Sequence, residues 1–400
     1  MSSPQSSASV PAPARGPTFP AIAAGTLAAV VGFASSLPVA LQGLIAAGAS
    51  QTQAASGLMA LSFAMGIGTL WASARSRMPI SLAWSTPGAA LLAAQGVGAG
   101  GFAESVGAFL VSGALVVAAG SWRPLGRAVA AIPNPLASAM LAGVLFGLCV
   151  APVKAVAAMP LPALAIVAAW AVTARINRLF AVPVALVVAA IAFVATSPVG
   201  LAQLGPLAPE AVLVVPSLSI HALTTIALPL FVVTMASQNI PGIAVLAVNG
   251  YRPAPGPLFR LTGIFSILAA PFGGHAVSLA AITAALCAGP DAEADPARRW
   301  WAAAVSGIVY CLFGLCATAF AAFLTAAPPL LIQAVAGLAL IGSFAAALTG
   351  AVAEKDKTEA AMITFVITAS GVGFLGIGGA LWGLLAGGAF LALQRWRRVG

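Results

Sequence analysis

The chain has 400 residues, 61% hydrophobic and only 6% charged, against about 25% charged in an ordinary soluble domain. Seventeen Lys/Arg and eight Asp/Glu cannot cover a soluble surface of this length, and the high hydrophobicity excludes intrinsic disorder. The net charge of +9 is scattered singly or in pairs between apolar runs, so it reads as topology anchoring and no nucleic-acid partner is expected.

Residues 1–18 (MSSPQSSASVPAPARGPT) are polar and rich in Pro and Ser, and are predicted to form a disordered tail. The apolar run that follows, 21–47, exceeds the roughly 7–15 residues of a signal-peptide core and reads as a retained first span. At about 20 residues per span, the first half divides into predicted spans 20–47, 53–74, 79–97, 102–121, 133–153, 159–175 and 180–200. The second half divides into 219–249, 257–272, 274–290, 299–325, 328–350, 358–374 and 376–394. The third and tenth of these are short or broken. Breakers fill the connections, as in Trp122-Arg-Pro and Tyr251-Arg-Pro-Ala-Pro-Gly-Pro257. Cys149, Cys287, Cys311 and Cys316 lie in apolar runs with no CxxC and read as inert buried thiols.

With the N-terminus placed in the cytoplasm, 16 of the 17 Lys/Arg fall on the cytoplasmic side and only Lys154 lies outside. Cytoplasmic connections are expected to carry this excess, and one span more or less would scramble it. The expectation is an all-α polytopic membrane protein with fourteen transmembrane segments and both termini cytoplasmic. Each half, 19–200 and 201–395, then holds seven spans. Seven is odd, so homologous halves must insert in opposite orientations, as an inverted repeat. Weak internal similarity agrees with this: Phe33-Ala-Ser-Ser-Leu-Pro38 against Met235-Ala-Ser-Gln-Asn-Ile-Pro241, and Ser85-Thr-Pro-Gly88 against Phe272-Gly-Gly-His275.

The two breaks are where chemistry is expected. Ser85, Thr86 and Gly88 read as a helix start at membrane depth, and Gly274 with His275 permits an unwound backbone before the tenth helix. Two half-helix N-termini facing each other would offer unpaired N–H groups and positive dipole ends to an anion such as a carboxylate. The competing reading is that Pro and Gly merely kink ordinary spans. Gln238 and Asn239, side by side at mid-span, offer donors and acceptors to a substrate, or else act as helix–helix glue. Ser36 divides between packing and function.

Seven of the eight acids fall in or at predicted loops, leaving Glu104 at the outer start of the fourth span. His275 and Glu104 are therefore the proton-coupling candidates, against structural and interfacial roles. None of the three lysines sits in a P-loop, no cluster has metal-ligand spacing, and no GxSxG or HExxH occurs. No cofactor, metal or catalytic residue is expected, and the class is a transporter driven by an ion gradient rather than an enzyme.

Four stretches, GFASSLPVALQGL (32–44), PISLAWSTPGAALLAA (79–94), ASQNIPGIAVLAVNGYRP (236–253) and APFGGHAVSLAAITAALCAG (270–289), resemble the benzoate/H⁺ symporter (BenE) family of bacterial inner-membrane transporters. The resemblance runs over nearly the whole chain beyond residue 18. It implies kinship with the uracil/xanthine and sulfate transporters, whose fold is a 7+7 inverted repeat. A core domain would come from spans 1–4 and 8–11, and a gate domain from spans 5–7 and 12–14. It further implies import of benzoate or a similar aromatic carboxylate with protons, by alternating access, at a site between the broken spans. Phe33, Trp84 and Phe272 would wall the ring, and a homodimer is a candidate assembly. Gln238, Asn239 and His275 stand where the nucleobase relatives use acidic residues, which suits an anion. A nucleobase or inorganic-anion transporter of the same fold is the alternative reading, with an anion channel behind it.

Overall fold

A hydroxyl cap opens the first helix: Thr18 Oγ1 accepts from the Ala21 N–H at 3.3 Å, Pro20 lies in the first turn, and α1 runs Phe19–Ala46. In the computed structural model, which describes residues 16–95, 100–196, 208–374 and 378–399, α2 (Gln51–Ser76) starts with a reciprocal Ser50–Gln53 capping box. It stops at Arg77, in the left-handed region at φ 55°, whose guanidinium lies 4.4 Å over the Trp300 ring. Of the predicted tail, only residues 16–18 fall among those described.

The first half continues with β1 (Leu82–Trp84), α3 (Thr86–Gln95), α4 (Gly101–Ser121), α5 (Arg123–Ala130), α6 (Asn134–Cys149), α7 (Ala151–Ala158), α8 (Pro160–Ile176) and α9 (Ala181–Thr196). The second half holds α10 (Ile220–Val248), α11 (Pro255–Ala269), β2 (Val277–Leu279), α12 (Ala281–Ala288), α13 (Trp300–Leu315), α14 (Ala317–Ala326), α15 (Pro329–Ala351), α16 (Thr358–Ala369) and α17 (Gly379–Val399). Among the described residues, six helical stretches are long and apolar enough to cross a membrane, α6 and α7 counting together as Asn134–Ala158, and a seventh is formed if α13 and α14, bent by 59°, count as one span. The other predicted spans are built of shorter pieces. The predicted connection at Trp122-Arg-Pro is itself the short helix α5, because Pro124 sits in a first turn where it needs no N–H.

The all-α expectation needs a correction at the two breaks. There the chain is extended, and β1 pairs antiparallel with β2 in the register Leu82↔Leu279, Ala83↔Ser278 and Trp84↔Val277. The ladder is lengthened by Ser85 N–H to the Ala276 carbonyl and Ala280 N–H to the Ser81 carbonyl, both 2.9 Å. Extended backbone in hydrocarbon must find partners on its outer edges as well. Side chains supply them. Thr69 Oγ1 of α2 accepts from Leu82 N–H (2.8 Å), Ser266 Oγ of α11 from Val277 N–H (2.8 Å), and Asn239 Oδ1 of α10 from Leu279 N–H (2.9 Å).

Around this ribbon α2 packs on α13, α4 on α11, α1 on α3 and α13, and α10 on α12. A second group is made by α15 on α6 and α7, α16 on α6 and α17, and α8 on α9. The two groups meet where α1 touches α15 and α3 touches α6. Close crossings depend on missing side chains. A Cβ on Gly66 of α2 would stand 2.6 Å from the Gly307 carbonyl of α13, and one on Gly263 of α11 would stand 2.8 Å from the Gly113 carbonyl of α4.

Candidate functional site

Two half-helices begin at the ends of the ribbon, and their first turns differ. Before α3, the Ser85 hydroxyl accepts from Gly88 N–H at 3.1 Å and closes that N-terminus with its own cap, and it also accepts from the Thr234 hydroxyl at 3.0 Å. Before α12, the capping position is Ala280, extended at φ −99° and ψ 121°, with no side-chain cap bond. Alanine is a poor cap because it offers no acceptor. The first N–H groups of α12 therefore remain available to a ligand, with the positive end of the helix dipole behind them.

A cavity of about 80 Å³ lies at this uncapped end. Ala280, Ala281, Ile282 and Thr283 line one side, and Gly32, Phe33, Ser35 and Ser36 of α1 line another. Trp84 and Thr86 from the first break, Gln238 of α10, Met65 of α2 and Tyr310 of α13 complete it. Among the described residues, no charged side chain lines it. Its aromatic wall is firm: Phe33 packs tilted against Trp84 and Phe313, with ring centroids 5.1 and 4.7 Å apart. Trp84 Nε1–H donates to Ser36 Oγ at 2.8 Å, and the Ser36 hydroxyl donates on to the Gly32 carbonyl at 2.6 Å.

Two polar groups in the wall lack a well-formed protein hydrogen bond among the described residues. Thr283 Oγ1 is buried beside the Tyr310 hydroxyl but makes no hydrogen bond of good geometry to it, a state that costs free energy unless a ligand or water answers it. The Gln238 amide, half-buried, makes no side-chain hydrogen bond among the described residues. It also borders a second cavity of about 290 Å³, between α10 and Pro87 of α3 on one side and Asn134, Ser138 and Ser343 of α6 and α15 on the other. Gln238 thus separates the small cavity from a larger space between the two packing groups. It is carried there by a π turn, Met235–Asn239, inside α10, a local widening common at functional positions.

Of the residues singled out in the sequence, Ser36, Thr86 and Gln238 meet at the cavity. The others do not line it. Ser85 caps α3, and Gly88 gives room to Leu230, whose Cδ1 would be 2.6 Å from a Cβ there. Asn239, fully buried, holds the β2 edge. Gly274 and His275 precede β2 instead of opening the half-helix, which starts six residues after His275 at Ala281, because three residues are drawn into the ribbon. His275 is fully buried against Phe109, with Nε2 at 3.0 Å from the Ser85 carbonyl and Nδ1 without a partner. Glu104 is half-buried in the first turn of α4, packed over Gly100. Of the expected ring walls, Phe33 and Trp84 line the cavity. Phe272 does not, and its carbonyl accepts from Ser56. Sequence reasoning missed Thr283 and Tyr310. The available signal was Gly32, where a Cβ would stand 2.7 Å from Tyr310 Oη and 2.8 Å from the Thr283 methyl.

The transmembrane domain of a cyanobacterium bicarbonate transporter, BicA, has the same fold, with a TM-score of 0.58 at 14% identity over 92% of this chain and 98% of that one. In sequence, the chain is 39% identical over 376 residues to the inner membrane protein YdcO of Escherichia coli, covering 92% of this chain and 94% of that one. It is 28% identical over 369 residues to the benzoate membrane transport protein of Acinetobacter baylyi, covering 91% and 92%. The pattern of the family described as BenE, benzoate membrane transport protein, matches residues 17–393, and the chain belongs to that family of membrane transporters.

Proposed function

We propose that the protein imports benzoate or a similar aromatic monocarboxylate together with protons, by alternating access across a bacterial inner membrane. The observation that carries this reading is the uncapped N-terminus of α12 set opposite an aromatic wall. The carboxylate takes the first N–H groups of α12 and the Thr283 hydroxyl, while Phe33, Trp84 and Tyr310 cover the ring. Gln238 closes the site towards the larger cavity, and its amide bonds the carboxylate when the two spaces join. At about 80 Å³ the small cavity falls well below the roughly 300–1,000 Å³ of drug-sized pockets, so admitting a ring requires that opening.

The moving parts in this reading are the two packing groups, α1–α4 with α10–α14 as core and α6–α9 with α15–α17 as gate. They correspond to fourteen spans in a 7+7 inverted repeat with both termini cytoplasmic. Support comes from the packing itself. Exchanging α2 with α11 and α4 with α13 turns the α2–α13 contact into the α11–α4 contact, and α6–α15 maps onto itself. The same exchange relates Gly66-Ile-Gly-Thr69 to Gly263-Ile-Phe-Ser266. In each, the first glycine makes the close crossing and the hydroxyl three residues on caps a ribbon strand.

His275 is the proposed proton carrier. A carbonyl only accepts, so Nε2 carries the hydrogen towards Ser85 and the Nδ1 lone pair is the place a proton can add. Glu104, outside the cavity, is the second candidate. Labelled benzoate uptake into proteoliposomes under an imposed proton gradient tests the whole reading. Accumulation that collapses with a protonophore is expected, and uptake indifferent to the gradient sinks proton coupling.

The small volume and the likeness to a bicarbonate transporter favour one further reading, an inorganic-anion transporter on the same fold. Competition separates the two. Unlabelled benzoate, but not bicarbonate or sulfate, should block labelled benzoate uptake.

A further inference from the structure

A separate cleft of about 790 Å³ opens between the end of α4, the short helix α5, the middle of α10 and the start of α11. Its floor is apolar, formed by Met235, Ile240, Ile243 and Phe259, and its rim carries Arg123 and Arg127. The two arginines are four residues apart on α5 and so share one helix face. Both are exposed, and neither has an ion-pair partner among the described residues. Trp122, 62% exposed just before them, is of the residue type that marks a membrane–water interface.

We propose that this cleft is a binding site for one anionic phospholipid, with its phosphate on Arg123 and Arg127 and an acyl chain over Met235, Ile240, Ile243 and Phe259. The occupant follows from the combination of surfaces. A soluble anion would satisfy the arginines but leave the apolar floor wet, and a zwitterionic lipid would cover the floor with less charge to offer the guanidinium groups. The walls are the membrane helices α4, α10 and α11, so the bilayer itself supplies an amphiphile of the required chemistry. The site is placed to be felt elsewhere. Met235 begins the π turn that carries Gln238, and α5 joins α4 of one packing group to α6 of the other.

Native mass spectrometry of the full-length purified protein, offered phosphatidylglycerol or phosphatidylcholine with matched chains, is the test. The expected result is one phosphatidylglycerol retained in preference to phosphatidylcholine, with R123Q/R127Q cutting that preference about fivefold for each arginine removed. R175Q/R178Q, an equal loss of charge outside the cleft, should leave it unchanged. Ile243→Trp, which fills the floor, should lower retention with both arginines intact, so the apolar half is read even where the double variant fails to purify. Equal retention of both lipids by the unmodified protein overturns the proposal. So does an unchanged preference in R123Q/R127Q, or release of the retained lipid by millimolar inorganic phosphate.

Discussion

His275 Nε2 lies 3.0 Å from the main-chain oxygen of Ser85, and that same oxygen accepts the Ala89 N–H at 2.8 Å in the first turn of α3. The imidazole of one break is thereby tied to the helix start of the other. In the proposed coupling, a change in its protonation would be passed to the half-helix without any contact with substrate. His275→Gln should abolish uphill accumulation of benzoate in a proton gradient while leaving exchange of labelled for unlabelled substrate within about threefold of normal. Counterflow and gradient-driven uptake in the same vesicles check this. Full accumulation by the variant would move the proton elsewhere, with Glu104→Gln the next variant to measure.

Thr283 carries a buried hydroxyl whose only side-chain neighbour for a bond among the described residues, the Tyr310 hydroxyl, is not met in good geometry. Replacing it by the nearly isosteric valine removes a poorly paired polar group, and a buried polar group left unsatisfied costs up to about 1–3 kcal/mol. Thr283→Val should raise the Tm of the substrate-free protein and weaken benzoate binding about tenfold, a loss of about 1.4 kcal/mol. Opposite signs in stability and affinity are the diagnostic. A fall in both would make Thr283 a packing residue.

Gln238 is half-buried between two cavities, and its amide bonds no protein group among the described residues. Gln238→Ala should therefore leave the Tm within about 1–2 °C while weakening benzoate binding roughly tenfold. Ligand-induced thermal shift at several benzoate concentrations reads both effects. Asn239, its neighbour, is the control. Asn239→Ala strips the partner from the Leu279 N–H and should lower the Tm even without substrate.

Glycine is required at some helix positions here and not at others. Gly66→Val forces a Cβ to within 2.6 Å of the Gly307 carbonyl, and overpacking of that kind costs about 1–3 kcal/mol or more. Gly263→Val should cost a similar amount at the matching α11–α4 crossing. Gly147 of α6 meets nothing within 4 Å, so Gly147→Ala should stabilise by about 0.5–1 kcal/mol through helix propensity alone. Thermal denaturation of the three variants in one detergent tests the contrast.

What was legible in the sequence depended on solvent. A helix bathed in lipid must be apolar along its length, so hydropathy and the placement of cations marked out the long helices α1, α2, α4, α10 and α15 with nothing to compete with the signal. The breaks were also legible, since Ser85-Thr-Pro-Gly88 and Phe272-Gly-Gly-His275 are poor helix interiors. Their conformation was not. ISLAW and AVSLA carry apolar residues that suit helix or strand, and only the nearness of one to the other, with Thr69, Ser266 and Asn239 at the edges, makes the ribbon the cheaper state.

Local composition alone marks this as a membrane protein of few charges, and its broken stretches carry the family kinship, because those properties are read segment by segment along the chain. Which polar groups are free was decided only by the tertiary structure. Ser36, Ser85, Asn239 and His275 are as polar as Gln238 and Thr283, yet the first four each make a well-formed protein hydrogen bond and the last two side chains make none among the described residues. Hydrogen-bond satisfaction is a pairwise property of groups up to 282 residues apart, and no reading of one strand of text contains it.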